Sequence, residues 1–234
     1  MNLQKRECTI EIRVLPRGAG WTDIEWFVPS FMSEPLLLIA SDVSNLFGDF
    51  VSSLYHLHPN RPQSGRGFSL IEHKYFEYDL GTGELGKMYS EDELKPSGPY
   101  VTIPYKAGFH WFEEPGGSHW ILTREPTENT DFTVDLDLVL DRRRNDGDIH
   151  IEYSYKFEYW DLCYAVAKAM TDVIKEFGIF GYYHSTGDEI SLYQLLFIKS
   201  IALDCIEASK LENREKYCWA TDFDKEMELL LFRM

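Results

Sequence analysis

Between residues 132 and 160 the chain alternates apolar and polar side chains through two successive runs, a period of two that no helix can bury. Val134, Leu136, Leu138 and Leu140 alternate with Thr133, Asp135 and Asp137. Ile149, Ile151, Tyr153, Tyr155, Phe157 and Tyr159 then alternate with His150, Glu152, Ser154, Lys156 and Glu158. Successive side chains of a strand point to opposite faces, so the two runs predict a hairpin with one apolar and one polar face. Asp146-Gly147 suits a type I′ turn, which sets Leu140 opposite Tyr153, Leu138 opposite Tyr155, Leu136 opposite Phe157 and Asp137 opposite Lys156. The same register sets Asp135 against Glu158, a like-charge pairing that costs stability. Either water screens that clash, or the face is an anionic surface for docking a basic protein.

Other segments repeat the pattern. Residues 9–15 and 23–28 alternate with their even-numbered apolar residues on one side. A three-residue Gly18-Ala19-Gly20 loop then sets Val14 opposite Ile24, Ile12 opposite Trp26 and Arg13 opposite Glu25. The stretch FHWFEEPGGSHWILTRE, residues 109–125, reads as a further hairpin, with Gly116-Gly117 as its turn and Glu114 opposite His119, Glu113 opposite Trp120 and Phe112 opposite Ile121.

Helical spacing begins at Ser41, where Val43, Leu46, Phe47, Phe50, Val51 and Leu54 form one stripe, with Ser41 or Asp42 as N-cap. Leu162, Ala165, Val166, Ala169, Val173 and Phe177 mark a second helix closed by Gly178. A third begins near Asp188 and is apolar around much of its circumference for about 23 residues, or about 35 Å. Residues 222–234 form a short acidic terminal helix. These elements predict a single α+β domain over residues 1–234. Its mainly antiparallel, hairpin-built sheet is covered on the apolar face by helices near 41–58, 160–177 and 188–210. Residues 59–108 hold five of the ten prolines and seven of the sixteen glycines. They read as a loop-rich insertion carrying a strand-like Phe68 to Leu80.

A formal charge of −16, from 39 Asp+Glu against 23 Lys+Arg, repels nucleic acid and anionic membrane and favours a basic protein partner. With no apolar leader after the charged N-terminus and no long apolar run, the chain reads as cytoplasmic and free of membrane. Cys8, Cys163, Cys205 and Cys218 match no redox or zinc spacing and read as reduced thiols. His56-Leu57-His58 reads as helix-terminal histidines, because side chains two apart on a helix diverge. Arg142-Arg143-Arg144 reads as a solvated hairpin tip among Asp141, Asp146 and Asp148. No P-loop, GxSxG or HExxH signature occurs, and no cofactor or metal is expected.

Several blocks carry a family likeness: Arg13-Val14-Leu15-Pro16-Arg17-Gly18 running into Gly20-Trp21-Thr22-Asp23-Ile24-Glu25-Trp26, Phe47-Gly48-Asp49-Phe50, Glu113-Glu114-Pro115-Gly116 followed by Trp120, and Phe177-Gly178-Ile179-Phe180-Gly181-Tyr182. Together they resemble a group of uncharacterised bacterial α+β proteins, similar in turn to immunity proteins that neutralise toxins. What the resemblance implies is a binding protein for a basic toxin domain. The docking residues are then Asp135, Asp137, Glu152, Glu158, Glu113 and Glu114. The alternatives are an enzyme with a dispersed acid/base or metal site drawn from Glu113, Glu114, His119 and His110, or a structural subunit of an assembly.

Overall fold

The structure is a computed structural model describing residues 7–41, 44–58, 66–71, 74–79, 85–89, 101–103, 106–113, 116–125, 127, 131–142, 147–203, 212–215, 218–220 and 222–234, with Ile149 and the segments within 66–103 and 212–220 described by backbone alone. In chain order the elements are β1 (Glu11–Gly18), β2 (Trp21–Phe27), β3 (Leu36–Ala40), α1 (Leu46–Leu57), β4 (Arg66–Ile71), β5 (Lys74–Asp79), β6 (Leu85–Tyr89), β7 (Val101–Ile103) and β8 (Lys106–Glu113). There follow β9 (Gly116–Thr123), β10 (Thr133–Arg142), β11 (Ile149–Glu158), α2 (Tyr159–Thr186), α3 (Leu192–Ala202), β12 (Glu212–Glu215), β13 (Cys218–Ala220) and α4 (Phe223–Leu231). The architecture is α+β, with antiparallel hairpins dominating the sheets. Two compact units divide the chain: Met1–Val51 with Trp160–Met234, and Ser52–Tyr159.

In the first unit β1, β2 and β3 form an antiparallel sheet. Ile12 faces Trp26, Arg13 faces Glu25 and Val14 faces Ile24, the register that the alternation demands. The loop is shorter than expected: after a register shift past Pro16, Gly18 pairs with Trp21, so Ala19-Gly20, both at positive φ, make a two-residue turn. Leu36–Ala40, an apolar run in the sequence, is the third strand, with Leu38 and Ala40 buried. Trp26 stacks on Phe50 of α1 at 6.2 Å, and Phe47 meets Tyr182 of α2 at 5.7 Å, which joins sheet to helices.

The helix ends correct the sequence reading. α1 starts at Leu46 rather than near 41, because the Asn45 Oδ1 accepts from the Gly48 N–H at 3.1 Å. Asp42 lies outside the described residues. Gly178 breaks the helical path of α2 (φ 71°, ψ 164°) where a stop is expected, yet helical turns resume as far as Thr186. α3 runs from Leu192 to Ala202, starting later than 188 because Ser191 Oγ accepts from the Gln194 N–H; Leu203 is its C-cap, and residues 204–210 of the expected helix lie outside the described residues. Apolar residues all around a helix say it is buried, not where it ends.

α4 forms as expected, with Asp222 capping its start. Its other end is held by Lys199, fully buried in α3, whose Nζ donates to the carbonyls of Leu230 at 3.0 Å and Phe232 at 2.8 Å. Burial, and after it the charge of Lys175, pushes this amine down to about 8. At the N-terminus of α2, Asp161 accepts from the Thr9 N–H at 3.2 Å and from its hydroxyl, a carboxylate where the helix dipole favours one.

In the second unit eight strands run in the order β11-β10-β9-β8-β7-β4-β5-β6. Among the described strands only β4 and β7 pair in parallel, at Phe68 and Val101. Among the described residues, 59–108 thus contribute four whole strands, and β4 and β5 pair antiparallel where a single strand from Phe68 is expected. Inward from β8–β11 point Ala107, Phe109, Trp111, Trp120, Leu122, Val134, Leu136, Leu138, Leu140, Tyr155 and Phe157, all buried. Phe109 stacks on Trp120 at 5.6 Å, and Trp111 meets Trp120 at 4.9 Å. Each valine, leucine and phenylalanine among these inward side chains gains roughly 1.5–3 kcal/mol by leaving water. The last turn of α1 belongs to this unit: Tyr159 Oη donates to the Leu54 carbonyl at 2.7 Å and Arg124 Nε to that of Leu57 at 2.6 Å.

Candidate functional site

The outward face of β8–β11 carries most of the candidate residues, and its geometry depends on two registers that the sequence reading misplaced. β10 and β11 pair two residues away from the expected register: Leu140 faces Ile151, Leu138 faces Tyr153 and Leu136 faces Tyr155. A slip of two keeps every side chain on its own face, so alternation does not discriminate between the two registers. The observed register is not centred on Asp146-Gly147: its last described pair is Arg142 with Ile149, and Asp146 lies with residues 143–145 outside the described residues. The clash between Asp135 and Glu158 disappears in this register. Asp135 faces Lys156 and pairs with its ammonium at 3.3 Å, while Glu158 faces Thr133. Asp137 accepts from Ser154 Oγ at 2.7 Å.

The β8–β9 hairpin is also shifted. Glu113 faces Gly116, Phe112 faces Gly117, Trp111 faces Ser118 and His110 faces His119, so Gly116-Gly117 lies within β9 and is not the turn. A Cβ on Gly116 would overlap the Asp141 carbonyl oxygen of β10, and one on Gly117 would overlap His110 Nε2. The glycines are there because neighbouring strands come close. Glu114 lies outside the described residues. Glu113 does not join the histidines: its carboxylate takes a 2.8 Å hydrogen bond from Arg142 Nε, and alternation puts it on the other face from His110.

What the true registers assemble is a row of histidines and carboxylates. His110 stacks on His119 at 4.0 Å, His119 Nε2 lies 3.6 Å from Asp141 Oδ2, and His150 Nδ1 lies 2.6 Å from Asp141 Oδ1. His150 Nε2 in turn lies 3.0 Å from Glu152 Oε1. Hydrogen bonds to Asp141 and Glu152 push the exposed His150 imidazole up from its ordinary value. Burial pushes His110 the other way, to about 4, with the charge of His119 adding and that of Asp141 opposing. Asp141 and His150 were missed in the sequence as a pair because they meet only in this register.

Among the described residues no group of three or more His, Cys, Asp or Glu side chains is placed to hold a metal ion. His56 and His58 are both buried at the end of α1, and burial, then the Arg124 charge, lowers the His58 pKa. Cys163 is buried and Cys8 half-buried, both as free thiols, while the side chains of Cys205 and Cys218 lie outside the described residues. Of the arginine run only Arg142 is described, paired with Glu113 as above.

Alternation places Asp135, Asp137, Asp141, Glu152 and Glu158 outward on β10 and β11, with Lys156 as the only lysine or arginine among the outward side chains of these two strands. Asp135, Asp137, Glu152, Lys156 and Glu158 are exposed. Among the described residues no helix is long and apolar enough to cross a membrane. Compared with known protein families, curated proteins and solved structures, the chain matches none.

Proposed function

We propose that this is a binding protein that engages a basic protein through the outward face of β10 and β11, in the manner of an immunity protein neutralising a basic toxin domain. The observation that carries the reading is the crowding of Asp135, Asp137, Glu152 and Glu158 on an exposed face where Lys156 is the single lysine of either strand. The formal charge of −16 supports it, since a field of that sign steers basic partners toward the surface. The ion pair between Asp135 and Lys156 and the hydrogen bond between Asp137 and Ser154 hold the carboxylates in fixed positions, so less side-chain freedom is lost on docking.

Affinity capture of basic proteins, followed by titration of a captured partner at low and high salt, tests the reading. The triple variant Asp135→Lys, Asp137→Lys, Glu152→Lys loses at least about tenfold in affinity at low salt, because like charges then meet across the interface. Equal affinity for wild type and variant, or binding indifferent to salt, removes the docking face.

A further inference from the structure

Two imidazoles stacked face to face cannot comfortably carry two protons, because the second charge then sits against the first. His110 and His119 hold that arrangement across β8 and β9, 4.0 Å apart and 13° from parallel. His110 is the confined member. Among the described residues its Nε2 is buried without a hydrogen-bond partner, it lies against Gly117 where a Cβ would overlap it, and Phe112 meets the ring at 4.2 Å. A proton on that nitrogen is a charged donor with no acceptor among the described residues.

The charged and titratable groups around the ring come from every neighbouring strand with described side chains. β9 supplies His119, β10 supplies Asp141, and β11 supplies His150 and Glu152 beyond it. On β8 itself Lys106 shares the outward face, while Glu113 is tied to Arg142. Asp141 is the group that favours a charged His110, and its other oxygen is already engaged by His150 at 2.6 Å.

We propose that the stacked His110–His119 pair makes the β8–β9 pairing an acid-labile joint in the middle of the eight-stranded sheet, one that loosens when His110 takes up a proton. No partner is needed for this behaviour, so it stands or falls apart from the docking face. The sign follows from linkage. The imidazole titrates near 6.5 in an unfolded chain and at about 4 here, so the joint is fully stabilised above about 6.5 and loses that stabilisation as pH falls toward 4. His150, raised by its hydrogen bonds, has the opposite sign and stabilises its own strand ends on acidification.

Amide hydrogen exchange of β8 and β9, corrected for intrinsic rates and followed from neutral pH to about pH 5, tests the proposal in the full chain. In the wild type the opening equilibrium of these amides rises by up to about tenfold per pH unit below about 6.5, beyond any change in β10–β11. His110→Phe keeps a stacked ring without a titrating nitrogen and loses this extra rise, and His110→Gln does the same if the phenylalanine variant folds badly. A wild-type profile identical to that of either variant overturns the proposal. So does a His110 imidazole that titrates by NMR at its ordinary value.

Discussion

On the inward side of β8–β11, Phe109, Trp111 and Trp120 meet ring to ring in a buried layer. Outward across the same strands, His110 stacks on His119, and carboxylates hold Lys156 and His150 at hydrogen-bonding distance. The two faces share a backbone and differ in the energy they contribute. Inward contacts are non-directional and proportional to buried area, and they carry the fold. Outward ion pairs face water and contribute little to stability, so their identity is free to serve recognition and response to pH. A protein of this design keeps its stability on one side of a sheet and its chemistry on the other.

That contrast is open to direct attack. The largest expected effect is Trp120→Ala, which removes a fully buried ring from the centre of the aromatic layer and lowers stability by about 3–5 kcal/mol in a denaturant titration. Next is Gly116→Ala, whose added Cβ meets the Asp141 carbonyl at a backbone φ of 135°. Neither side can yield cheaply, and a loss of about 1–3 kcal/mol is expected by the same measurement. The smallest effect is Asp135→Ala, which breaks the exposed pair with Lys156 and changes stability by less than about 1 kcal/mol. If Asp135→Ala cost as much as Trp120→Ala, the division of labour between the faces would be wrong.

The sequence revealed faces more readily than registers. The β1–β2 pairing was legible because its loop is short and made of residues that take positive φ, which ties Arg13 to Glu25 without outside help. The β10–β11 pairing was legible only in parity. Its last described pair is Arg142 with Ile149, and a slip of two residues moves no side chain across the sheet. Gly116-Gly117 misled for a different reason: what requires glycine there is the approach of Asp141 and His110 from neighbouring strands, a non-local cause that local turn chemistry imitates. The candidate site inherits both errors. The outward carboxylates were visible as a set, while the link from His119 through Asp141 to His150 depends on cross-strand neighbours that alternation alone leaves open. The ends of α3 were hidden because its apolar residues surround the helix and the terminating contact at Leu203 carries no distinctive side chain.

Carboxyl labelling read residue by residue, in the free protein and in complex with a captured basic partner, is the most direct test of the outward face as the docking surface. Asp135, Asp137, Glu152 and Glu158 are expected to react readily in the free protein and to become protected together on binding, while Asp172 of α2 stays unchanged. Carboxylates that are already unreactive in the free protein, or that label equally with and without the partner, contradict the account.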